Sequence, residues 1–222
     1  MHTKRKPERV AKRALILGAV AFRASLEETS HPRVVEITHR LLPWLCDLGC
    51  DDEIDPIERE LLETPRGQLS DSQWIDANWA GEAATIFCWA LNLVGGLNEV
   101  NPADQSVLPD LLCILKPEAA AIIQSASLRD SAEIEDMCRQ IVMIRSVLQE
   151  MRVGLPGSDV IRRLNVQRLS EAGIVVTEDA AKRASAIVAG MTPQGRDQVA
   201  GLYFVRDHAA LWLFSDRSKY FD

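Results

Sequence analysis

The sequence predicts a mainly α-helical, single globular domain with room for a minor strand element. Three observations carry that expectation. Apolar residues recur every three to four positions over most of the chain. Ser70, Ser131 and Thr192 stand where helix N-caps belong, and Gly49, Gly95 and Gly96 stand where helices exit. The only short β-branched run is Gly173–Thr177, GIVVT, and one such run cannot build a sheet.

A first helix is expected over Pro7–Glu28. Proline fits its first turn, and Val10, Ala14, Leu17, Ala21 and Ala24 fall at helical spacing. Residues 29–32, TSHP, interrupt it. A second helix follows from Pro32 to Leu48 with Val35, Thr38, Leu42 and Leu45 near one face, and Pro43 kinks or divides it. A short helix begins at Pro56, and Thr64, Pro65 and Gly67 end it. Ser70 and Gln73 form a capping-box pair opening a long central helix that exits at Gly95–Gly96.

Asn101–Ala103 reads as a loop. Leu108–Leu115 reads as a buried helical or coil segment, with a strand as the alternative. A short helix covers Pro117–Ala126. The next, capped by Ser131, carries Ile134, Met137, Ile141, Ile144, Leu148 and Met151 on one side. A break at 155–157 precedes an amphipathic helix through Ile161, Leu164, Arg168 and Ala172. After the GIVVT run, a helix covers Asp179–Ala189. Thr192 and Pro193 open a last one reaching Phe214.

The 222 residues, 47% of them hydrophobic, suffice for one real core over 1–222, with a flexible start at 1–6. Net charge is -7, which disfavours a broad nucleic-acid surface because phosphates must be met by cations. No apolar run reaches membrane-spanning length, and the apolar stretch LILGAVAF is too short and too flanked by charge for a leader. Five cysteines, Cys46, Cys50, Cys88, Cys113 and Cys138, sit mostly beside apolar residues, as reduced thiols of a cytoplasmic protein would. His39, Cys46, Asp47 and Cys50 have helix-compatible spacing, but no second strong ligand pair follows, so neither metal nor other cofactor is expected. Phosphate-binding, dinucleotide and zinc-hydrolase motifs are absent. Ser170, Glu171, Asp207 and His208 supply reactive groups without a local catalytic pattern.

Two features attract a functional reading. The first is Glu82, set into the apolar stripe of Trp79, Ala83, Ile86, Ala90 and Leu93. A carboxylate there needs a cationic or hydrogen-bonding partner. Arg206 and Arg145, each beside an apolar helical stripe, are the candidates, Arg206 first. The pair is either a structural bridge or the lining of a ligand pocket. The second is the stretch from Asp47 to Glu63, whose Asp51, Asp52, Glu53 and Asp55 head a run of eight acids against Arg59. Solvated faces explain such a run; the sharper reading is a surface docking a basic protein partner, bordered by Trp44 or Trp74.

The residues ERELLETPRGQLSDSQ from Glu58 to Gln73, then Trp79, Glu82 and Ala83, then Trp89-Ala90-Leu91, resemble a bacterial family catalogued as domain of unknown function 4272. Ala80 stands where that family has a basic residue. Trp44–Glu53 fits loosely. Near the C-terminus Arg206, Trp212 and Leu213 keep the family's register, whereas Asp207 replaces its His and Leu211 its Asn. The resemblance implies a largely helical fold and carries no activity to transfer. From these residues the expectation is a non-catalytic interaction or regulatory protein. A small-ligand-binding protein or enzyme with a pocket around Glu82 is the alternative.

Overall fold

Among the described residues, 5–30, 32–98, 101–153 and 158–215 of a computed structural model, the chain forms ten α-helices and no β-strand. It divides into two compact units. One comprises α1 (Pro7–Ser25), α2 (Val34–Asp47), α3 (Pro56–Glu63), α4 (Asp71–Ala90), α5 (Leu108–Leu111) and α6 (Ala119–Gln124). The other comprises α7 (Ser131–Val153), α8 (Ser158–Glu171), α9 (Glu178–Ala189) and α10 (Pro193–Trp212), with Arg5 and residues 101–102.

In the first unit α1 is the centre. The predicted stripe Val10, Ala14, Leu17, Ala21 and Ala24 is buried, but so are Ala11, Leu15, Ile16, Ala19 and Val20, so burial runs round the helix. It packs chiefly on α4, and also on α2, α3, α5 and α6. Gly18 permits one close approach, since a Cβ there would lie 2.3 Å from Leu112 Cδ1. Helix α2 runs through Pro43 unbroken, and its buried face is Val34, Thr38, Leu41 and Leu45. Thr38 and Leu45 are buried as expected, while Val34 and Leu41 take the places of exposed Val35 and of Leu42.

The Ser70–Gln73 capping box forms: Ser70 Oγ accepts the Gln73 amide at 3.3 Å and Gln73 Oε1 the Ser70 amide at 2.9 Å. Helix α4 stops at Ala90, before the Gly95–Gly96 exit. Asn92 takes the left-handed conformation (φ 62), and the Leu93 amide donates to the Cys88 carbonyl at 2.9 Å. Asparagine tolerates that conformation well enough to end a helix without glycine. The 108–115 segment is a single helical turn and coil, not the alternative strand.

In the second unit α7 packs against α8, α9 and α10. Its cap is Asp130, one residue before the expected Ser131: Asp130 Oδ1 accepts the Ala132 amide at 2.8 Å. The minor strand expected at Gly173–Thr177 does not form. Gly173 (φ 77) closes α8, with the Ile174 amide on the Leu169 carbonyl at 2.8 Å. Ile174 is buried, Val175 is exposed with its carbonyl accepting Arg139 Nε at 2.6 Å, and Thr177 caps α9. With these groups engaged and no second strand among the described residues, the β-branched run serves as a helix connector.

Residues 1–4 of the expected flexible start lie outside the described residues. Arg5 donates to the Trp212 carbonyl at 3.1 Å and stacks on that indole, 4.3 Å from its centroid. Thr192 caps α10, its Oγ1 accepting the Gly195 amide at 3.1 Å. Thr192→Ala removes that acceptor and lowers stability by about 1 kcal/mol in denaturant unfolding.

Candidate functional site: a basic cleft on α7, α8 and α10

Asp207 lies on the inner face of α10 beside Tyr203 and Ala210 and is fully buried. A carboxylate there must be met by cations, and two arrive from neighbouring helices. Arg168 of α8 donates through Nη2 to Asp207 Oδ2 at 2.7 Å, and Arg145 of α7 donates through Nη1 to the same oxygen. Asp207 Oδ1 has no hydrogen-bond partner among the described residues. Arg168 Nη1 also donates to Asn165 Oδ1 at 3.3 Å, and Asn165 Nδ2 donates to Gln149 Oε1 at 3.1 Å. The Arg145 guanidinium lies 4.7 Å from the Phe204 ring centroid, a cation–π distance.

These side chains line a cleft of about 430 Å³. Its polar lining is Arg145, Arg168, Gln149, Asn165 and His208; its apolar lining is Ile161, Leu164 and Phe204. Leu164 is 56% and Phe204 52% exposed, so apolar carbon faces water at the rim. The lining offers donors and hydrocarbon, with no thiol, hydroxyl or amine nucleophile among these residues.

His208 Nδ1 is 2.8 Å from the Phe204 carbonyl. A carbonyl oxygen only accepts, so Nδ1 carries the hydrogen and the neutral ring keeps its lone pair on Nε2. Burial pushes the imidazole below its ordinary value near 6.5, and Arg145 and Arg168 add to that; the Phe204 carbonyl and Asp207 work against it. The unfolded chain therefore takes up this proton first. His208's contribution to stability is full above about pH 6.5 and is lost as pH falls below it. His208→Gln flattens that part of the profile, measured as unfolding midpoints at pH 7.5 and 5.5.

Glu82 is 1% exposed and accepts the Ala103 amide at 2.6 Å, anchoring the loop that follows α4. Glu82→Ala leaves that amide without its acceptor and costs at least about 1–3 kcal/mol, read by denaturant unfolding. Arg145 pairs with Asp207. Arg206 is buried and donates to the Asn101 carbonyl at 3.1 Å. In the acidic stretch, Asp51 pairs with Arg59 at 2.6 Å and Glu53 with Arg9 at 2.7 Å. Asp55 is buried at the start of α3, and Asp52 is exposed. Trp44 and Trp74 are half-buried.

His39 is exposed and Cys50 buried, its thiol pushed up by burial to about 11; Cys88 reaches about 12. Such thiols stay protonated and inert. Among the described residues no three His, Cys, Asp or Glu side chains are grouped to hold a metal ion. None of the described helices is long and apolar enough to cross a membrane.

Sequence reasoning noted Asp207 only as one reactive group among several and placed Arg168 on an amphipathic helix. The signal was present. Asp207 interrupts the α10 stripe just as Glu82 interrupts that of α4, with Tyr203 four residues before it and Ala210 three after.

The fold and cleft define a mainly α-helical protein with a basic, apolar-walled recess on α7, α8 and α10. The chain belongs to the bacterial family described as Domain of unknown function (DUF4272), whose model matches residues 2–171. Arg145 and Arg168 fall within the match; Asp207 and His208 lie beyond it. Neither the curated proteins nor the solved structures give a match.

Proposed function

We propose that this chain is a non-catalytic small-ligand-binding protein and that its site is the cleft on α7, α8 and α10. The observation carrying this reading is the convergence of Arg145 and Arg168 on one oxygen of buried Asp207, beneath an exposed rim of Leu164 and Phe204. The buried carboxylate fixes both guanidiniums in advance, so little side-chain freedom remains to be lost on binding. The volume lies within the range of small-molecule sites, and the mix of apolar wall with a few placed polar groups is what such sites use.

Docking of a basic protein through residues 51–55 has weaker support. Overall acidity and exposed Asp52 favour it, but Asp51 and Glu53 already hold arginines of this chain and Asp55 is buried. The ligand reading is tested by screening small molecules, anionic and neutral, against the isotopically labelled full chain by NMR. Binders should shift amides of residues 145–149, 161–168 and 204–208. A screen whose binders all shift other residues would move the site elsewhere.

A further inference from the structure

We infer that the cleft takes a single carboxylate carried on an apolar or aromatic body, in preference to a phosphate. This rests on the ligand-binding reading above and names the ligand's class.

The first argument is charge. Arg145 and Arg168 contribute two positive charges to the cleft and Asp207 removes one. Glu150, next to Gln149 in the chain, is neutralised by Arg162 at 2.8 Å. His208 faces Arg145 from α7, Arg168 from α8 and Asp207 on its own helix; its Nδ1 hydrogen is committed to Phe204, and the ring is neutral at pH 7 and above. One net positive charge remains, which one carboxylate cancels. A phosphate dianion leaves one negative charge over in a half-enclosed site.

The second argument is donor geometry. Each guanidinium uses one N–H on Asp207, and Arg168 one more on Asn165. The planar fork of the remaining donors suits the two coplanar oxygens of a carboxylate. Nε2 of neutral His208 is an acceptor and adds no donor for further phosphate oxygens.

The third argument is the wall. Leu164 and Phe204 are large apolar side chains more than half exposed at the rim, and Ile161 continues that surface. An aliphatic or aryl body would cover them, whereas a bare inorganic anion would leave them wet.

The test is calorimetric titration of the full chain at pH 8 with three probes sharing one body: 4-phenylbutyrate, 4-phenylbutanol and 4-phenylbutyl phosphate. The butyrate should bind at least about tenfold tighter than the alcohol, as one charge-assisted hydrogen bond provides. It should bind tighter than the phosphate and show no buffer-dependent heat. The phosphate should bind with proton uptake and gain on the butyrate as pH falls, because a proton taken by His208 or by the phosphate itself removes the excess negative charge. Leu164→Glu adds a negative charge to an exposed rim position and should weaken butyrate at least about tenfold.

Binding of the alcohol as well as the butyrate, or tighter phosphate binding without proton uptake, overturns the carboxylate assignment while keeping the ligand-binding reading. Butyrate binding untouched by Leu164→Glu overturns the assignment to this cleft. Failure of all three probes overturns the carboxylate assignment, and the ligand-binding reading falls with it only if the NMR screen also gives no binder at the cleft.

Discussion

Glu58→Ala should cost about 3–5 kcal/mol of unfolding free energy, the largest loss expected from any single change described above. Arg13 of α1 grips Glu58 of α3 through two bonds, Nη1 to Oε2 at 2.9 Å and Nη2 to Oε1 at 2.5 Å, and both side chains are 1% exposed. Glu58 also accepts the Asp55 amide at 2.9 Å, and Arg13 donates to the Glu53 carbonyl at 2.7 Å. Truncating the carboxylate strands a guanidinium in the core, with Asp55 at 3.9 Å as a more distant counter-charge. Replacing both partners, Arg13→Met with Glu58→Leu, should recover part of the loss, because the two paired charges leave together while buried Asp55 stays behind. Chemical denaturation of the two singles and the double measures this. A single variant losing less than about 1 kcal/mol would mean that water reaches the pair.

Asp207→Asn should have the second largest effect, and on two observables. Stability should fall by about 1–3 kcal/mol, less than for Glu58 because the Arg168 side chain is a third exposed and water can solvate part of its charge. The cleft should gain one positive charge, so affinity for 4-phenylbutyl phosphate should rise relative to 4-phenylbutyrate. Denaturation and titration of the same sample read both effects. An unchanged preference between the two anions would show that Asp207 does not set the charge of the cleft.

Helix positions were largely legible in the sequence because periodicity and caps are local signals. The Ser70–Gln73 box and the Thr192 cap form as read. Errors fall where a local signal had a competitor. Asn92 ends α4 ahead of the glycines because an asparagine in the left-handed region suffices. Gly173–Thr177 has strand-forming residues but no strand beside it, which composition cannot reveal.

Charge was read less well, for a physical reason. Counting acids from Asp47 to Glu63 treats them alike, yet Glu58 closes a capping box at α3 and meets Arg13, which lies 45 positions away in the chain. No window over one segment contains both partners. The cleft is harder still: Arg145, Arg168 and Asp207 come from three helices, and only tertiary packing brings them together.

The enclosure of α1 bears on how the chain is made. This helix leaves the ribosome before α2, α3, α4, α5 and α6, which cover it and all follow in sequence. Its main cover, α4, ends only at Ala90. At the usual pace of about 5–20 residues per second, the LILGAVAF stretch emerges several seconds before its cover exists. During translation that stretch is a ready handhold for chaperones, and slowing synthesis between α1 and α4 should lower the soluble yield without touching the finished fold.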